Sequence, residues 1–133
     1  MKKEDYKRTT PRQLVEGDLT EKIIGAAMAV SNGLIPGLDE KHYERALIIE
    51  LAAQGLEAGG QEVFPVHYRN QHIGDLIPDV IVERRVIVEA KVVREFTDRH
   101  YAQLLGYLRI TKIRVGLLFN FYQAKLQFER LVV

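Results

Sequence analysis

The sequence contains no cysteine. Disulfide staples and cysteine-ligated zinc are therefore excluded, and a reducing compartment is open to the chain. It has no apolar run approaching the roughly 18 residues of a membrane span. The stretch Met1 to Asp18 is polar, mixed in charge and without periodicity, and it lacks the apolar core of a signal peptide. It reads as a loosely packed N-terminal arm, with a single domain over 19–133 and a cytoplasmic protein as the default. Net charge is nearly absent: the formal value of +1 at pH 7 by itself announces no nucleic-acid partner. There is no internal repeat or low-complexity segment, and nothing suggests disorder or fibre. The four histidines, His42, His67, His72 and His100, fall at no zinc-binding spacing and read as solvated or structural.

What remains is an ordinary globular composition. The 133 residues are 47% hydrophobic and 28% charged, one domain's worth with enough apolar surface to bury a core. Charge is unevenly spread: residues 36 to 62 carry a net −4 and residues 84 to 114 a net +5. Either one side of the folded domain is basic, or these charges scatter over different faces.

Local patterns give the elements. Thr20 is placed to cap a first helix in which Ile23, Ala27, Val30 and Leu34 recur at helical spacing, ending near Asn32 or Gly33. Pro36-Gly37 breaks the chain before a second helix over Glu40 to Gln54, with Tyr43, Ala46, Leu47, Glu50 and Leu51 as its stripe and Gly55 closing it. Strand composition follows from Glu62 to Tyr68, then a turn at Arg69 to His72, and a strand from Leu76 to Glu83 that Pro78 interrupts. Proline lacks the ladder N–H, so a bulge, edge or distortion is expected there. A third helix begins at Thr97 or Asp98 and runs to about Ile110, and two strands, Ile113 to Asn120 and Lys125 to Val133, close the chain. An α/β layered domain accommodates this order, because a central sheet with helices buries both the Val/Ile-rich strands and the amphipathic helices.

The stretch from Pro78 to Lys91 asks for more than packing. In a strand, side chains alternate, so Ile87, Glu89 and Lys91 share one face and Val86, Val88 and Ala90 the other. A carboxylate and an ammonium therefore stand two residues apart on one face, and burying either unpaired is costly. With Asp79 from the preceding strand, the set is the chemistry of a divalent-metal site with a cationic helper for a phosphate. Sharing one metal requires Asp79 and Glu89 to stand on one side of the hairpin; a regular hairpin then pairs Val82 with Val86 and leaves the three-residue loop Glu83-Arg84-Arg85, and a two-residue loop with a bulge beside Asp79 also satisfies the requirement. A two-residue Arg84-Arg85 turn is disfavoured, since such turns want residues that tolerate positive φ. Asp75 is the alternative acid. Glu40, at a helix start, is a carboxylate favoured by the helix N-terminus and shares a face with Tyr43. Gln103 and Tyr107, four apart, share a face of the third helix that His100 joins one turn earlier.

Pro78-Asp79 followed by Glu89-Ala90-Lys91 resembles the signature of the PD-(D/E)XK nuclease superfamily. Gly37-Leu38-Asp39-Glu40-Lys41-His42-Tyr43 is similar to the pattern of its GxxExxY branch, and Gln103-Leu104-Leu105-Gly106-Tyr107 to the QxxxY motif of its exonuclease-type members. The resemblance covers roughly residues 20 to 133. It implies a restriction-endonuclease-like core, a central mixed β-sheet flanked by α-helices. It also implies a Mg²⁺ (or Mn²⁺)-dependent DNA nuclease, with Asp79 and Glu89 as metal ligands, Glu40 and the Ala90 carbonyl joining them, Lys91 by the attacking water or the phosphate, and Gln103 and Tyr107 along the DNA groove. A small chain of this kind calls for a second copy or a partner protein to hold its substrate. The alternative is a non-catalytic nucleic-acid-binding or protein-interaction domain derived from a nuclease, in which Lys91 pairs with Glu89 or Asp79.

Overall fold

The computed structural model describes residues 15–133. Of the expected arm, residues 1–14 lie outside the described residues, while Val15 already packs against the core. Helix α1 spans Gly17–Gly33 and α2 Glu40–Ala53. Thr20 does not cap α1: it lies inside the helix, buried, its hydroxyl donating to the Gly17 carbonyl at 3.1 Å. A threonine hydroxyl satisfied three residues back has no need of a terminus, and Leu19 anchors the earlier turn in the core.

Seven strands follow. They are β1 (Ala58–Gly59), β2 (Phe64–Tyr68), β3 (Gln71–Leu76), β4 (Val80–Val82) and β5 (Val86–Lys91), then β6 (Val115–Asn120) and β7 (Gln127–Val132) beyond helix α3 (Asp98–Thr111). The stretch Leu76 to Glu83 is therefore not one strand. It ends at Leu76 and resumes at Val80, with Pro78 in the gap, where proline was expected to distort the ladder. Strand β1, two residues long, carries no sequence pattern that could have announced it.

The main sheet has the order β1-β4-β5-β6-β7, and β2 and β3 form a separate two-stranded sheet. Within the main sheet only β5 and β6 are parallel, and α3 is their crossover. Alternation along the central strands splits the core into two layers. Val80, Val82, Val86, Val88, Ala90, Val115, Leu117 and Phe119 face α1 and α2. Ile81, Ile87, Leu118 and Leu131 face α3, whose Tyr101, Leu104, Leu105 and Leu108 cover them. Leu104 sits over Gly116, where a Cβ would come within 2.7 Å of it, so the glycine sets how closely α3 approaches the sheet.

The β4–β5 hairpin pairs Val80 with Val88, Ile81 with Ile87 and Val82 with Val86, the register that follows from setting Asp79 opposite Glu89. Its loop is the three residues expected, but not for the conformational reason given. Glu83 (φ 53°) and Arg84 (φ 57°) both lie in the left-handed region, and Arg85 N–H closes the turn on the Val82 carbonyl at 2.9 Å. Tertiary contacts hold this conformation. Glu83 N–H donates to the Glu57 carbonyl at 2.7 Å, its carboxylate accepts from Glu57 N–H, and Arg84 grips both oxygens of Glu62.

Candidate metal and phosphodiester site

The backbone ladder between β4 and β5 stops at Val80, and side chains continue it. Asp79 N–H donates to Glu89 Oε2 at 2.8 Å, and Ala90 N–H donates to Asp79 Oδ2 at 2.9 Å. Each carboxylate thus gives one oxygen to the opposing strand, and the two acids interlock at the end of the hairpin. Glycine at position 60 allows this. A Cβ there would lie 2.7 Å from the Asp79 carbonyl oxygen, so any larger residue would displace the backbone that carries the acid.

Burial makes the pair electrostatically costly. Glu89 is 2% exposed, and desolvation followed by the Asp79 charge pushes its pKa up to about 8, against the opposing pull of Asp79 N–H and Lys91. Asp79 is raised as well, first by desolvation, with Ala90 N–H and Lys91 acting the other way. Two acids held together in a dry place call for a proton or a cation between them.

Lys91 supplies only part of that charge. Its Nζ lies 3.9 Å from Glu89 Oε1 and donates to Gln103 Oε1 at 2.8 Å, so it is drawn towards α3. Gln103 Nε2 in turn donates to the Tyr107 hydroxyl at 3.3 Å. Burial raises the Tyr107 pKa, and the negative charges of Glu89 and Asp79 raise it further, which places the phenol within their field. Lys91, Arg99, His100, Ala102 and Gln103 line an open cavity of about 730 Å³ beside this chain of contacts.

Helix α2 enters from the opposite layer. Gly37 (φ 99°) turns the preceding loop, and Tyr43 pins it: the hydroxyl donates to the Ile35 carbonyl at 2.7 Å and the ring stacks on Phe121 at 4.6 Å. Tyr43 is thus a packing residue, consistent with its place in the helical stripe. Glu40 then reaches the end of β5, where its Oε2 accepts from Val92 N–H at 3.1 Å. Asp75 is elsewhere, paired with His72 at 2.8 Å on β3.

Two residues escaped the sequence reading. Glu44 is 6% exposed, and desolvation and then Asp79 raise its pKa, with Lys41 at 3.5 Å opposing. Its four-residue spacing from Glu40 was the available signal. Asn120, buried at the end of β6 opposite Lys91, clamps the chain beyond β5: Oδ1 accepts from Val93 N–H at 3.1 Å and Nδ2 donates to the Val93 carbonyl at 2.7 Å. An amide ending the apolar run Val-Gly-Leu-Leu-Phe was the clue there.

The donor set fits a hard divalent cation. Among the described residues no three His, Cys, Asp or Glu side chains form a ready ligand cluster, but two carboxylates converge, and Mg²⁺ uses one or two together with water. No helix among the described residues is long and apolar enough to cross a membrane. A family model described as PD-(D/E)XK nuclease superfamily matches residues 17–131. No curated protein and no solved structure matches the chain. The chain therefore belongs to the PD-(D/E)XK nuclease superfamily, and its five-stranded mixed sheet flanked by helices is a restriction-endonuclease-like core.

Proposed function

We propose that this superfamily member is a Mg²⁺- or Mn²⁺-dependent nuclease that hydrolyses phosphodiester bonds of DNA, and that it belongs to the GxxExxY branch. The observation that carries the reading is the interlocked pair Asp79 and Glu89 with the Lys91 ammonium 3.9 Å from Glu89. Asp79 and Glu89 would hold the cation, with the Ala90 carbonyl and Glu40 available to join them. Such a cation would polarise the phosphate and lower the pKa of a coordinated water. Lys91 presents its ammonium to the attacking water or to the charge developing on the phosphate, and the Gln103 amide fixes where that ammonium points. Tyr107 holds the other end of the Gln103 amide, so the α3 face acts as one unit along the DNA strand. The branch assignment rests on Gly37, Glu40 and Tyr43, whose spacing turns the loop, pins it to the core and brings Glu40 to the end of β5. A second copy or a partner protein completes the DNA grip in a cytoplasmic setting.

The test is incubation with labelled single- and double-stranded DNA, with and without Mg²⁺ or Mn²⁺. Wild-type protein is expected to cleave only with metal, and Lys91→Ala to lose about 10²-fold or more of the rate while remaining folded. Cleavage by Lys91→Ala at the wild-type rate would remove the catalytic role of that lysine. Absence of metal-dependent cleavage by both proteins would favour the interaction-domain alternative.

A further inference from the structure

Beside the acids, the cavity of about 730 Å³ has a different character: Lys91, Arg99, His100, Ala102 and Gln103 line it, with no carboxylate among them. His100 has a fixed tautomer there. Thr97 N–H donates to His100 Nδ1 at 3.0 Å, closing a capping box at the start of α3. An imidazole whose Nδ1 accepts carries its proton on Nε2, so the free edge of the ring is a neutral donor. Protonating Nδ1 would break the cap; separately, burial and then the Lys91 charge lower the His100 pKa, with Glu40 opposing and Arg99 adding to the lowering.

Arg99, one residue earlier, is exposed and makes no ion pair among the described residues. The cavity wall therefore offers a guanidinium and an imidazole N–H together, at the N-terminal turn of a 14-residue helix whose dipole favours an anion. Lys91 belongs to both regions, which ties the cationic cavity to the carboxylate pair.

We infer that Arg99 and His100 form a second phosphate subsite, which holds the phosphate next to the scissile one on the same nucleic-acid strand. The inference rests on the nuclease reading above and adds a substrate contact to it. Arg99 contributes charge, and His100 contributes a directed N–H whose orientation Thr97 maintains. Both act on binding and register, so their removal falls on KM rather than on kcat.

The experiment measures cleavage of a labelled oligonucleotide with Mn²⁺, and salt-dependent binding of the same oligonucleotide in EDTA. Arg99→Ala is expected to raise KM about tenfold and to lower the slope of log Kd against log salt by about 1, while Arg99→Lys restores the slope. His100→Glu keeps a capping acceptor at this position, so the melting temperature is held while KM rises. Wild-type cleavage with KM and salt slope unchanged in Arg99→Ala would overturn the subsite and leave the nuclease standing. Wild-type protein that neither binds nor cleaves would overturn both. If it binds without cleaving, the salt slope decides the subsite alone.

Discussion

Both tight hairpins among the described residues reverse through two non-glycine residues with positive φ, Arg69 (48°) and Asn70 (65°) in β2–β3, Glu83 (53°) and Arg84 (57°) in β4–β5. Their surroundings are opposite. Every residue of β4 and the first five of β5 are buried, and the register is regular. In β2–β3, Tyr68 and Ile73 are exposed, and the register shifts between Val66 and His67. A one-residue slip exchanges the faces of a strand. In β4–β5 it would send apolar side chains to the wrong layer and part Asp79 from Glu89, whereas β2–β3 has little burial to lose. Positional accuracy at the acids is thus a product of burial on both faces, and the turn conformation alone does not provide it.

The strongest way to test this contrast is through the cost of burying the acids. Glu89 carries a pKa raised to about 8 in the folded chain against 4.5 ordinarily. The native state therefore holds a proton that the unfolded chain releases in that window. Stability is fully present below the ordinary value, falls as pH rises through the window, and is lowest above about 8. Asp79, also raised, acts in the same direction. Metal-free protein is expected to melt several degrees lower at the top of the window than at its bottom, and Mn²⁺ to restore much of the loss. Glu89→Gln, whose carbonyl can still accept from Asp79 N–H, should flatten the profile and abolish the response to Mn²⁺. A wild-type melting temperature indifferent to both pH and Mn²⁺ would show that the pair is not strained.

A matched pair of glycine substitutions sharpens the comparison at smaller amplitude. Gly60→Ala drives a Cβ to 2.7 Å from the Asp79 carbonyl oxygen, so a loss of roughly 1–3 kcal/mol is expected in denaturant titration. Cleavage should fall with it, because the acid itself moves. Gly74→Ala, in β3, meets nothing within 4 Å and has no positive φ. Its expected effect is within about 0.5 kcal/mol, with cleavage unchanged. Equal costs for the two would mean that the close approach of Gly60 does not constrain the backbone at Asp79.

Much of the site was legible because its signals are local. Alternation assigned Glu89 and Lys91 to one face, the helical spacing set Gln103 beside Tyr107, and the demand that two acids share a cation chose the register that β4 and β5 adopt. The PD and EAK residues, with the Gly37-to-Tyr43 pattern, pointed to the superfamily that the family match establishes. The start of α1 was misplaced because a threonine hydroxyl satisfies itself inside a helix as well as at its end. The left-handed turn at Glu83 and Arg84 was missed because its supports, Glu57 and Glu62, lie more than twenty residues away in the chain.

By itself, then, the sequence determined the three helices, most of the strands, and the pairing of Gln103 with Tyr107 on one helix face, all of which follow from backbone periodicity and residue type. Only the tertiary structure decided that β2 and β3 leave the main sheet, that Glu44 is buried within the field of Asp79, and that Asn120 locks the chain beyond Lys91. Those outcomes depend on which distant elements pack together, and burial, unlike periodicity, is a property of the assembled layers.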